Sequence, residues 1–252
     1  ALAMLDDFQH SRTVYEQAIS TFGPDAALCY ALGCAQAHLR KCKTALAAFE
    51  QSLTFEDSGK SHIQLGHVRL AQGERAAALA EYRTALEVSP QLPEAYHALG
   101  LYYYGAGKWD EAEREFTQAA QFAGDCAPAY VGLGVILESR GDWAGAQETY
   151  QKAIVAGGSR PELSLRLGVV ASRQKKYEDA LALLTEARQA GVESDELLYN
   201  FGLAHAQLSH WADALEAWLP LQQRAPRDER LGLNVARCQY QLGHQRFGFF
   251  SP

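Results

Sequence analysis

Cys34, His38 and Cys42 stand at i, i+4 and i+8, a spacing that aligns two thiols and an imidazole along one helical stripe. His67 lies one repeat length further along the chain and could join them. These are ligand types for a borderline-soft divalent ion. Cys42, however, occupies the place that Trp109, Trp143, Tyr177 and Trp211 fill at later steps of the same pattern, which reads as core packing. No metal and no cofactor are therefore expected. The eight His are scattered, and no Ser-His-Asp or Cys-His arrangement emerges. There is no phosphate-binding loop and no G-x-G-x-x-G fingerprint; Gly73, Gly107 and Gly141 read as turn residues. The chain is not expected to be an enzyme.

Composition narrows the class further. The 252 residues carry 23 Lys and Arg against 30 Asp and Glu, a net charge of −7, which argues against a general nucleic-acid binder. There are 42 Ala but only 22 Val, Ile and Thr, a ratio that predicts an all-α chain. A hydrophobic fraction of 48% is too high for a disordered tail. The longest apolar run, Val131 to Leu137, is too short for a bilayer, so no membrane insertion is expected. Five cysteines without paired spacing suggest free thiols in a reducing compartment, and a cytoplasmic location is the expectation. No signal peptide is visible; the sequence starts at Ala1 instead of Met and reads as a piece of a longer chain.

The elements that must position any site come from an internal repeat. Gly33, Gly66, Gly100, Gly134, Gly168 and Gly202 are spaced 33, 34, 34, 34 and 34 residues apart. Before each stands Leu32, Leu65, Leu99, Leu133, Leu167 or Phe201. Twelve residues after each Gly comes Ala45, Ala78, Ala112, Ala146, Ala180 or Ala214. Four residues later a large side chain follows: Phe49, Tyr82, Phe116, Tyr150, Leu184 or Trp218. The spacing predicts two amphipathic helices per unit. In the third unit Pro93 opens a helix with Tyr96, Leu99, Gly100 and Tyr103 on one face. A break at 105–108 follows, and then a second stripe of Trp109, Ala112, Phe116 and Ala119. Gly and Ala would let antiparallel helices approach closely, and the large residues would fill the space left between repeats.

This pattern, Y-x-x-L-G-x-x-Y…A-x-x-x-F…P over 34 residues, resembles the tetratricopeptide repeat. Segment 59–92 carries Leu65, Gly66, Ala78, Tyr82, Ala85 and Pro90, and segment 93–126 carries Tyr96, Leu99, Gly100, Tyr103, Ala112 and Phe116. Six units are read at 26–58, 59–92, 93–126, 127–160, 161–194 and 195–228. Residues 1–25 read as the second half of a preceding repeat with a linker, and 229–252 as a half repeat or capping helix with a Phe-rich tail. The resemblance implies an all-α, right-handed superhelical solenoid of antiparallel helix pairs. It also implies a protein-interaction scaffold or adaptor that binds a peptide or partner segment in a concave groove.

By that resemblance, the groove is set by positions around the repeat Gly: Tyr30, Ile63, His97, Val131, Leu165 and Tyr199 before it, and His67, Leu101, Val135, Val169, Leu203 and Tyr104 after it. This is an apolar and aromatic set, which either binds a partner or is buried by neighbouring repeats. The Lys and Asn of the carboxylate clamp found in chaperone-adaptor members are absent at these positions. The asparagine ladder of another member type would use Asn200 and Asn234 here. Arg166, Arg173 and Arg237 extend a polar cluster that could hold an acidic group on a partner. Residues 1–126 carry net −6 and residues 127–252 net −1. Two alternatives stay open: a self-associating scaffold, helped by Phe247, Phe249 and Phe250, and a recruiting arm of a larger enzyme.

Overall fold

The computed structural model describes residues 2–247, with side chains described over 7–243. The tail from 248 onward, with Gly248 where an Ala would continue the repeat, lies outside the described residues, as does the Phe247 side chain. Among the described residues every regular element is an α-helix. A first helix, α1 (Leu2–Phe22), is followed by the pairs α2 (Ala26–His38) and α3 (Cys42–Phe55), and α4 (Gly59–Ala71) and α5 (Arg75–Val88). Next come α6 (Pro93–Gly105) with α7 (Trp109–Phe122), and α8 (Ala127–Ser139) with α9 (Trp143–Val155). The last pairs are α10 (Arg160–Arg173) with α11 (Tyr177–Gln189), and α12 (Asp195–Gln207) with α13 (Trp211–Arg224). A final helix, α14, runs over Glu229–Phe247. The chain forms two compact units, Ala1–Gly132 and Leu133–Pro252.

Helix ends follow local chemistry. Asp25 caps α2 by accepting the Leu28 backbone N–H at 2.7 Å, and Ser194 caps α12 by accepting that of Leu197 at 3.1 Å. Pro93 begins α6 where its missing N–H costs nothing. The tight turn inside a pair needs one residue with a left-handed backbone. Gly107 supplies it in the first unit (φ 73°), while Lys175 is held there in the second (φ 62°).

The ladder residues explain why the helices pair so closely. A Cβ added at Gly100 would lie 2.6 Å from the Phe116 ring, and one at Gly33 would lie 2.6 Å from Phe49. The same clash would occur between Gly66 and Tyr82, Gly134 and Tyr150, and Gly202 and Trp218. Phe116 also meets Gly132 of the following helix, where a Cβ would again stand 2.6 Å away. Phe116 therefore seats on the glycine of its own pair as well as reaching the next helix. Ala45, Ala78, Ala112, Ala146, Ala180 and Ala214 are fully buried and leave no room for a larger side chain. This is jigsaw packing repeated at each step, so each element depends mainly on its sequence neighbours.

Candidate functional site

In the first unit the expected face is carried by α2, α4, α6 and the start of α8. Tyr30 is half-buried, its ring edge against Phe49 at a centroid distance of 5.8 Å. Ile63, only 4% exposed, packs into the core with Tyr82 and Ala98 and offers no surface to a partner. His67 keeps an exposed edge, and its Nδ1 lies 2.9 Å from the Tyr82 hydroxyl. His97 is half-buried beside Phe116, at 5.7 Å between rings. Leu101 is 48% exposed, one turn beyond His97. Tyr104 follows on the same stripe, half-buried, and sets its ring edge-on to Trp109 at 4.9 Å. Val131 is half-buried on α8.

Electrostatics keep this face uncharged. Burial lowers the pKa of His67 below its ordinary 6.5, and burial followed by the nearby His67 lowers that of His97. Both imidazoles are thereby biased to the neutral form at neutral pH. Burial pushes the Tyr82 phenol up to about 12, so it stays a hydroxyl. The result is a strip of aromatic, aliphatic and neutral polar groups with one well-exposed leucine at its centre.

The second unit presents a different chemistry. Leu165 and Val169, 8% and 7% exposed, close a core cluster with Leu184 and Leu197. Val135 is half-buried. Arg166 reaches Glu196 at 3.1 Å and Glu138 at 3.8 Å. Burial raises the pKa of Glu138, while Arg166 and Arg173 oppose the shift. Arg173 lies over the Trp143 ring at 5.7 Å, and Arg237 over the Trp211 ring at 6.0 Å. Asn200 is buried, and its amide donates to the Glu196 carbonyl one turn back at 2.8 Å, so it is spent within its own helix. Tyr199 and Leu203 are half-buried against the cluster around Trp218, and Asn234 is half-buried on α14. Arg166 thus already holds two carboxylates of this chain, from α8 and α12.

The cysteine and histidine stripe does not assemble into a ligand set. His38 stacks on Phe8 at 4.2 Å, and Cys34 and Cys42 pack against the cluster around Phe49. All five cysteines are free thiols. Among the described residues one group of three does bring ligand atoms within 4.8 Å of each other: His205, His210 and Asp213. Their i, i+5, i+8 spacing fits no helical stripe, which is why periodicity missed them. The available signal is that His205 and His210 flank the turn between two paired helices.

Comparison with known proteins agrees with this architecture. A family model described as TPR repeat matches residues 66–107, and one described as tetratricopeptide repeat matches 97–161 and 131–195. Together they span more than half of the chain. The BBSome complex member BBS4 of Mus musculus is 28% identical over 103 residues, which is 41% of this chain and 20% of that protein. The chain thus spans about a fifth of the length of the curated relative it matches. Among solved structures, the chain in the APC/C hetero-tetramer Cut9–Hcn1 superposes with a TM-score of 0.74 at 16% identity, covering 92% of this chain and 46% of that one. Pseudomonas aeruginosa pilF superposes with a TM-score of 0.73 at 18% identity, covering 93% of this chain and 99% of that one. At these identities the structural likeness concerns the fold. Among the described residues no helix is long and apolar enough to cross a membrane. With the Gly–aromatic ladder recurring in helix pair after helix pair, and with family models matching across the middle of the sequence, this chain belongs to the tetratricopeptide repeat family.

Proposed function

We propose that this chain is a protein-interaction scaffold that holds an apolar or aromatic partner segment against the first-helix face of its N-terminal unit. Proteins of this repeat family generally act as interaction scaffolds, and the fold is typically non-catalytic. The observation that carries the reading is the uncharged strip of His67, His97, Leu101 and Tyr104, where burial keeps both imidazoles neutral and Leu101 remains open to solvent. Such a strip desolvates at little cost and rewards an apolar side chain placed on it. Arg166, Arg173 and Arg237 of the other unit offer polar contacts, but Arg166 must first share its guanidinium with Glu138 and Glu196. The similarity to a member of a multiprotein complex supports a role inside an assembly.

Peptides selected from a random library on the immobilised chain provide the test. Their affinity is expected to fall at least tenfold on Leu101→Asp and to change little on Arg166→Glu. Selected peptides that bind Leu101→Asp as well as the parent chain overturn the placement. A second reading, self-association, has its own observation: Leu233 and Tyr240, seven residues apart on α14, are both exposed on the last helix. A monomer by light scattering at high concentration removes it.

A further inference from the structure

The turn joining α12 and α13 concentrates the groups that ligate transition metals. His205 sits in the last turn of α12, His210 is the N-cap of α13, and Asp213 lies in the first turn of α13. The backbone fixes their relation: the His210 N–H donates to the His205 carbonyl at 2.9 Å, and Ser209 between them adopts a left-handed conformation (φ 62°). Phe201, one turn back on α12, sets its ring against the His205 imidazole at 4.7 Å, which restricts that side chain.

The separations match those of a coordination shell. The two Nδ1 atoms are 3.4 Å apart, and Asp213 Oδ2 lies 3.8 Å from His205 Nδ1. Tetrahedral ligation at about 2.0–2.1 Å places ligand atoms about 3.3–3.4 Å from one another. With the site empty, an N–H···N hydrogen bond between the two imidazoles accounts for this approach, and a cation taking the place of that proton would meet both nitrogens. A cavity of about 440 Å³, lined by His205, Asp213, Glu216, Phe201 and Arg188, adjoins two of the three groups. The Arg188 guanidinium lies over the Phe201 ring at 5.5 Å, and the Asp213 and Glu216 carboxylates line the same cavity as it does.

We propose that His205, His210 and Asp213 form a divalent transition-metal site, with zinc the preferred occupant. Two imidazoles and one carboxylate are a borderline ligand set suited to zinc and poorly suited to calcium or magnesium. Bound there, the ion ties the end of α12 to the start of α13 and stabilises the second unit by binding the folded chain over the unfolded one.

The test uses the 252-residue chain stripped with EDTA and exchanged into chelator-free buffer. Zinc is titrated in competition with a chromogenic chelator, and cobalt(II) serves as a spectroscopic probe. One zinc per chain is expected, with binding weakened at least about tenfold by His210→Ala and by Asp213→Asn, since even outer partners of a metal site act on that scale. Both residues are exposed, so the variants are expected to keep the helical circular dichroism of the parent. His10→Gln, on α1, is expected to change nothing. The cobalt form should show ligand-field bands without thiolate-to-metal charge transfer. Equal zinc affinity in the parent and both variants, or a cobalt spectrum dominated by thiolate charge transfer, overturns the proposal; the latter would place the metal on the cysteines.

Discussion

The two compact units share one internal ladder and differ in what they display. In Ala1–Gly132 the first helices present His67, His97, Leu101 and Tyr104, a face without a formal charge. In Leu133–Pro252 the equivalent helices present Glu138, Arg166, Arg173 and Glu196, where every carboxylate has an arginine nearby. Behind both faces the packing rule is the same: a glycine receives a large side chain from sixteen residues later, Phe116 on Gly100 and Leu184 on Gly168. The lesson concerns where freedom lies. Ladder positions are fixed by volume, because a single Cβ would stand 2.6 or 2.7 Å from its neighbour. Exposed face positions such as Leu101 have no such constraint and can be rewritten without disturbing the stack.

The comparison can be broken from the ladder outward. Phe116→Ala and Leu184→Ala are each expected to cost about 2–5 kcal/mol, read by urea denaturation, because both leave cavities against glycines that cannot fill them. Leu101→Ala should cost less than about 0.5 kcal/mol, since it is a surface truncation. If it destabilises as much as Phe116→Ala, the division into ladder and face is wrong. Arg166→Met is expected to cost about 1 kcal/mol, a figure reduced for solvent screening of a partly exposed pair, because Glu138 would lose a neutralising partner. Lys175→Gly should stabilise by about 0.5 kcal/mol by relieving the left-handed backbone that Gly107 already accommodates in the other unit.

The smallest expected signal is a difference in the pH response of the two faces. His67 and His97 have lowered pKa values, so below pH 6.5 the unfolded chain gains protons that the folded chain resists. Their contribution is fully present above 6.5 and is lost on acidification. Glu138 acts with the opposite sign. Its raised pKa means that the folded chain holds a proton the unfolded chain has released, so its share of stability falls as pH rises through the folded value. The double variant His67→Gln, His97→Gln should flatten the loss on acidification, whereas Glu138→Gln should steepen it. Thermal melts across pH 4.5–7 distinguish the two.

Much of the fold was legible in the chain. The 34-residue step, the small residues and the turn glycines are local signals, and a helix pair needs little more than local spacing and tight packing. The face was legible only in outline. Ile63, Leu165 and Val169 occupy the same repeat positions as Leu101, His97 and Val135, yet neighbouring helices bury the first three in the core. Burial there depends on the side chains that adjacent helices supply, which no spacing rule contains. Likewise the type of Arg166 announces a charge but not its use: its partners Glu138 and Glu196 lie on the helices α8 and α12, reached only after stacking.

The order of helices, the close approach of each pair and the absence of the known peptide-clamp residues can all be read from residue types in sequence, because they depend on contacts at fixed intervals of one repeat. Three other properties depend on folding. The neutrality of His67 and His97 comes from desolvation, the neutralisation of Arg166 from residues roughly a repeat away, and the meeting of His205, His210 and Asp213 from the sharp turn at Ser209. Each rests on distance and dielectric in three dimensions, and neither quantity has a period along the chain.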